Sequence, residues 1–424
     1  MSAQPPNGAR VGALDLLRLG VRLGLGKLGT GGDFDGGAAG CRWAREIMAK
    51  GGADGLDVRV AGRRVELVGD RARSDAILAD PPLDVGYTTG DLKREAMEFL
   101  APGAVTVADG ERWRRLRAFN DEVLESVGRP DYEKAFAAHV GEAFDAPIRD
   151  AEAVRTAMGR AMVAIVLGGA PVVDDPAGDI RALFDVVQSP LKRKVFGFVY
   201  TGRRDRFKTS LKRRWADVSG DEPTLLGRAR AVAPRYPEIG PDEILDQVPH
   251  WMFTFTGSGA DLLFRTLALI TSRPDAHGRV VRELGDAGDT ASSFTRACLL
   301  EAGRLFPPVT KTFHRPPAGA GDREIAHWFP LLQRDPALGP SVDAFQPDRW
   351  LAGDPDAAAR ASNLFLRGPR GCPGEKLILF VCLAAIQRQL GELGFAVRPS
   401  PLSTDPLPVS FPGGDIQFTT ERVS

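Results

Sequence analysis

The 424-residue chain is poor in the features that mark several broad classes of protein. It has four cysteines, Cys41, Cys298, Cys372 and Cys382, and their spacing matches neither a disulfide framework nor a zinc site. This cysteine usage fits a reducing, cytoplasmic setting. Lysines and arginines number 55, as do aspartates and glutamates. A formal charge of zero gives no electrostatic reason to expect nucleic acid as a partner. Long apolar runs are missing too. Leu14 to Leu28 comes nearest, but Arg18, Arg22 and Lys27 interrupt it and it is too short to span a bilayer, so no membrane partner is expected. No phosphate-binding loop or dinucleotide fingerprint is present, which argues against a fused flavin reductase. Of the histidines, His139, His250, His277 and His327 form no close cluster and read as structural or surface residues.

What is present centres on residues 365–374, Phe-Leu-Arg-Gly-Pro-Arg-Gly-Cys-Pro-Gly. Three glycines and two prolines keep this run from being helical. From Glu375 to Leu390, apolar residues recur at helical spacing. Cys372 is therefore expected on a glycine-rich loop at a helix entrance. Free backbone N–H groups and the positive end of the dipole there favour thiolate over thiol. Arg367 and Arg370 add cations. The pattern suits a thiolate ligand beneath a large, flat, anionic group, although a buried structural cysteine is also compatible with it.

The run resembles the haem-binding signature of the haem-thiolate monooxygenases, the cytochrome P450 family: Phe-x-x-Gly-x-Arg-x-Cys-x-Gly is met at every fixed position. The resemblance implies Cys372 as the axial ligand of haem b iron and Arg370 on a haem propionate. It also implies Phe365 packed near the sulfur, with Gly368 and Gly374 shaping the loop. Trp113 and Arg117, four apart on one helical face, resemble the family's propionate-binding pair. His314 and Arg315 follow where the family often places another propionate-binding cation; spacing does not decide between them. Glu301 and Arg304, a helical i, i+3 pair, stand 71 residues before Cys372. With Arg349 in Phe-Gln-Pro-Asp-Arg-Trp they resemble the family's buried ionic cluster, a structural support for the cysteine loop.

The resemblance implies a mainly α protein with a small β region, built as a single P450-like domain over 13–424. Residues 1–12 read as disordered. Residues 57–68 alternate as a β-hairpin, Ser74–Ala79 fits a short helix, and a helix covers part of 41–50. Ala151 to Leu167 reads as a core helix. From Lys192 to Arg214 there are ten lysines and arginines against the single acid Asp205. This reads as a solvated face or as a basic mouth over a substrate channel. The segment from Arg315 to Phe345 is short for the family, which suggests a trimmed strand pair.

Asp242 to Arg273 reads as one long helix of about 48 Å at 1.5 Å per residue. The family carries an acid–alcohol pair on this helix; here the corresponding run is Thr-Gly-Ser-Gly-Ala-Asp, 256–261. Either alignment breaks the pair, and Ser258, Thr256 and Asp261 are the candidate catalytic stand-ins. Asp261 also fits a salt-bridged helix residue. The glycines permit a local distortion of the helix. Phe253, Phe255, Leu262 and Leu263 suit either a pocket lining or the core. The expected activity is oxygenation of a small apolar or mid-sized organic molecule, with electrons from a separate ferredoxin-type donor. That donor would dock on a basic face made by Arg112, Arg114, Arg115, Arg367 and Lys376. Peroxide use, a non-oxygenating haem reaction, or haem and gas binding without catalysis are the alternatives left by the altered helix.

Overall fold

The computed structural model describes residues 8–11, 36–60, 63–79, 87–168, 176–187, 190–286, 293–317, 322–351, 363–366, 368–413 and 416–419. Leu14 to Leu28 and Arg367 lie outside these. The fold is mainly α-helical with one six-stranded mixed sheet in the order β1-β2-β3-β6-β5-β4. Among the described residues no helix is long and apolar enough to cross a membrane.

Alternating apolar residues build the sheet. β2 (Gly55–Val60) and β3 (Arg63–Val68) pair antiparallel, burying Leu56, Val65 and Val68. β1 (Gly8–Arg10) runs parallel to β2, so these three residues of the expected disordered terminus are a strand. On the other side β3 runs parallel to β6 (Glu324–Trp328), which pairs antiparallel with β5 (Lys311–Arg315). β4 (Thr88–Thr89) closes the edge against β5. Between Arg315 and Phe345 the described residues hold one strand, β6.

The largest core cluster joins the helices Gly110–Leu124, Pro130–Ala143, Ala151–Leu167, Ala260–Thr271, Ser293–Leu305 and Glu375–Ile386. Ala151–Leu167 shows how sequence sets the ends: Asp150 accepts the Ala153 N–H at 2.8 Å, and Gly168 stops the helix in the left-handed region at φ 78°.

The long helix is interrupted. It runs as Pro241–Leu245, Gln247–Thr254 and Ala260–Thr271, with a π-helical turn at Phe255–Gly259. Pro249 is tolerated because it falls in the first turn of its segment, where its missing N–H costs no hydrogen bond. The π turn coincides with Gly257 and Gly259, the glycines expected to allow a distortion.

A buried amide network ties this helix to the segment before helix Gly110–Leu124. Gln247 donates to the Gly103 carbonyl at 2.8 Å and accepts the Val105 N–H at 2.9 Å. Asn120 donates to Gln247 at 3.2 Å and accepts the Trp251 indole N–H at 2.7 Å. Satisfied networks of this kind fix one arrangement of a core. This one fixes two walls of the cavity described next.

A candidate haem-thiolate site

The loop that carries Cys372 is shaped by its own backbone. Leu366 takes φ 61° and Gly368 φ 64°, and a Cβ at Gly368 would meet the Ala79 Cα at 2.7 Å. The Cys372 N–H donates to the Phe365 carbonyl at 2.7 Å, and the Gly371 N–H to the Gly368 carbonyl at 2.9 Å. Helix Glu375–Ile386 then leaves the loop. Phe365 is half-buried against the main core. A Cβ at Gly374 would lie 3.9 Å from the Cys372 sulfur, an ordinary contact.

Cys372 is exposed, whereas Cys41, Cys298 and Cys382 are buried. Its neighbours Gly371 and Pro373 line a cavity. Desolvation by the surrounding protein nevertheless pushes the thiol up. The Gly374 N–H and the Arg117 and Lys93 cations oppose this, while Glu375 reinforces it. Desolvation thus opposes the thiolate that the helix entrance and neighbouring cations favour.

The cavity is an open cleft of about 510 Å³, part of which is open solvent. Trp113, Arg117, His314 and Arg370 all line it, so four residues far apart in sequence converge. Arg370 donates to Thr89 Oγ1 at 2.9 Å and to the Tyr87 carbonyl at 3.2 Å, and faces Asp109 at 3.3 Å. Arg117 points partly elsewhere. Its Nε faces Asp121 at 2.7 Å, and its Nη1 donates to the carbonyls of Pro369, at 3.0 Å, and Gly371. Strand alternation separates the next pair. His314 is buried and lines the cavity, whereas Arg315 is exposed and pairs with Asp91.

Two lining residues were missed from the sequence. The Lys93 side chain makes no hydrogen bond or ion pair among the described residues. Burial and the nearby Arg370 lower its ammonium to about 8, and Cys372 works against them. His250, expected to be structural or surface, also lines the cavity; burial and Lys93 push it down to about 3. A lysine in a short helix among Asp91, Arg94 and Glu95 carries no local sign of this role. His250 had one sign: it lies on the helix expected to cross the site.

These residues fit a dianionic haem. Among the described residues, three cations, Lys93, Arg117 and Arg370, line the cavity and no carboxylate does. His314 Nδ1 is buried without a hydrogen-bond partner. The exposed thiol lies beside the same cavity.

The candidate catalytic residues behave differently. Ser258 donates to the Thr254 carbonyl at 2.8 Å, and Thr256 to the Phe253 carbonyl at 3.3 Å. Asp261 is committed to Arg155 at 3.1 Å and Arg265 at 2.9 Å. None of the three is among the described residues lining the cavity, and Asp261 takes the ion-paired arrangement that its sequence context left open. Phe255, Leu262 and Leu263 are core residues, and Phe253 packs against two core clusters. Part of the basic run is also engaged in ion pairs. In helix Pro190–Asp217, Arg203 pairs with Asp179, Lys208 with Asp246, Lys212 with Asp242 and Arg214 with Glu222.

Behind the loop, Glu301 accepts both arms of Arg304 at 2.8 and 2.9 Å, Arg349 Nε at 3.0 Å and the Trp350 indole N–H at 2.9 Å. The expected cluster forms, with Trp350 as an additional member.

No family model matches the chain. Over 163 residues it is 29% identical to the cytochrome P450 monooxygenase cpaH of Aspergillus oryzae, covering 33% of this chain and 32% of that protein. It is 30% identical over 185 residues to cyclooctatin synthase of Streptomyces melanosporofaciens, covering 38% and 40% respectively. A longer match of 349 residues at 22% identity links it to cytochrome P450 94B1 of Arabidopsis thaliana, covering 66% of this chain and 67% of that one. The matches to the first curated relatives span about a third of their length.

Proposed function

We propose that the chain, similar in parts to several cytochrome P450 enzymes, is a haem-thiolate monooxygenase acting in the cytoplasm. It would oxidise a small apolar or mid-sized organic molecule with dioxygen, taking electrons from a separate ferredoxin-type donor. The observation that carries this reading is the exposed Cys372 beside a cavity lined by three cations and no acid.

Haem b bound there supplies dioxygen activation, and a thiolate ligand favours O–O cleavage. The chain's own residues do the rest. Cys372 ligates through its sulfur. Arg370, Lys93, His314 and Trp113 hold the propionates by charge and hydrogen bonding. Arg117 braces the loop that presents the sulfur. Ser258 and Thr256, with hydroxyls on the helix turn, are the remaining side-chain proton carriers of the original three.

A second reading has a specific support. With Asp261 tied to two arginines and no carboxylate lining the cavity, proton delivery by an acid is weak. That favours peroxide as oxidant, or a haem reaction without oxygen insertion. Turnover with hydrogen peroxide alone, matched against turnover with reductase and dioxygen, separates the two readings.

The primary test is the spectrum of the reduced protein under carbon monoxide. A strongly red-shifted Soret band is expected, and it should be lost in Cys372→His. A histidine-type band in the unsubstituted protein would overturn the proposal.

A further inference from the structure

The cavity holds a polar pair on its wall that the haem reading leaves unused. His250 lies on helix Gln247–Thr254, its ring packed edge-on against Phe253 at 5.2 Å between centroids. Its ring nitrogens make no hydrogen bond among the described residues. Thr106, in the segment Val105–Val107, has a buried hydroxyl without a partner and lines the same cavity. Both segments are locked by the Gln247 network, so the two groups are pre-positioned.

Electrostatic neighbours order the cavity. His314 feels both Arg370 and Lys93, whereas His250 feels Lys93 and not Arg370.

We infer that His250 and Thr106 form a hydrogen-bonding anchor for the substrate, which is a neutral molecule bearing a carbonyl or hydroxyl oxygen. This rests on the haem-thiolate reading. An imidazole N–H and a hydroxyl can both donate to one carbonyl oxygen. A neutral class follows from charge. Of the lining cations, Arg117 is engaged by Asp121 and braces the ligand loop, which leaves Lys93 and Arg370, the latter already facing Asp109, for the two propionates. An anionic substrate would add a further negative charge where no cation remains. A plain hydrocarbon would leave the imidazole and the hydroxyl buried and unpaired.

The test uses haem-loaded protein and two probes of one skeleton, 4-phenylcyclohexanone and phenylcyclohexane, titrated while the Soret shift is followed. The unsubstituted protein should bind the ketone about tenfold more tightly than the hydrocarbon, roughly the worth of one buried hydrogen bond. His250→Phe and Thr106→Val should each reduce that preference, and His250→Asn should restore part of it. The red-shifted carbon monoxide band should stay unchanged throughout. Equal affinities in the unsubstituted protein, no shift with either probe, or a preference untouched in His250→Phe would overturn the anchor. Absence of the red-shifted band in the unsubstituted protein would instead overturn the haem-thiolate reading on which it rests.

Discussion

Arg117 donates through Nη1 to the carbonyl of Gly371, the residue before Cys372. A side chain that resembles a propionate contact in sequence is thus also a brace on the ligand loop, with a second bond to Pro369. Arg117→Ala should remove about 1.5–3 kcal/mol of charge-assisted bonding from the loop. Haem should then be lost faster on gel filtration, while far-ultraviolet circular dichroism stays unchanged. Gly368→Ala attacks the same loop by another route, through φ 64° and a Cβ 2.7 Å from the Ala79 Cα. Equal haem retention in both variants would remove the bracing argument.

Glu301 is fully buried and serves Arg304, Arg349 and Trp350 together. Glu301→Gln leaves two guanidiniums without their shared anion. Breaking such a pair costs about 3–5 kcal/mol. The expected outcome is a lower midpoint in urea and poor haem incorporation in cells. A midpoint within experimental error of the unsubstituted protein would show that the cluster is not a structural support.

Acid should destabilise the fold through its buried histidines. His327 donates to or accepts from Ser74 Oγ at 2.8 Å, and burial and the nearby Arg73 lower it to about 3. Its ordinary value is about 6.5. Both states are neutral at His327 above about pH 6.5. As pH falls from there toward 3, the unfolded chain takes up a proton that the folded chain refuses, so stability falls. The slope from one such group reaches about 1.4 kcal/mol per pH unit. His327→Gln should flatten the decline in melting temperature between pH 6.5 and 4.5 by roughly that share. An unchanged slope would count against it.

The basic face offered to a redox partner is smaller than the sequence suggests. Arg112 pairs with Glu243, Arg114 with Glu111 and Lys376 with Glu125. Arg115 has no ion pair among the described residues. Arg115→Glu should lower partner-supported turnover several-fold at low salt and reduce its salt dependence, as expected of steering charges. Turnover with peroxide should not change. Loss of both activities would point to a folding defect rather than docking.

Legibility in the sequence followed the range of the interactions. The hairpin at 57–68, the helix at 151–167 and the Cys372 loop are set by local periodicity and turn residues, so they could be read directly. The Glu301–Arg304 pair is also local, and Arg349 was reached through a neighbouring motif. Lys93 could not be read, because only the fold brings its segment against Arg370. The same holds for the pairing of the basic run: Lys208 meets Asp246 across 38 positions, and one segment's charge pattern carries no trace of its partner. His314 and Arg315 needed the pleat of β5 to tell them apart.

The π turn at Phe255–Gly259 acts on its helix like a collar that resets the phase of a shaft. One extra residue in a helical turn rotates everything after it by about 100° relative to an uninterrupted α-helix. Asp261 lies two residues past that collar and meets Arg155 and Arg265. Its isolation from the cavity is therefore a matter of angle as much as of chemistry. Removing one glycine would let the turn close as ordinary α-helix with the downstream half still in its present phase, so the turn itself could be erased with no side chain redesigned.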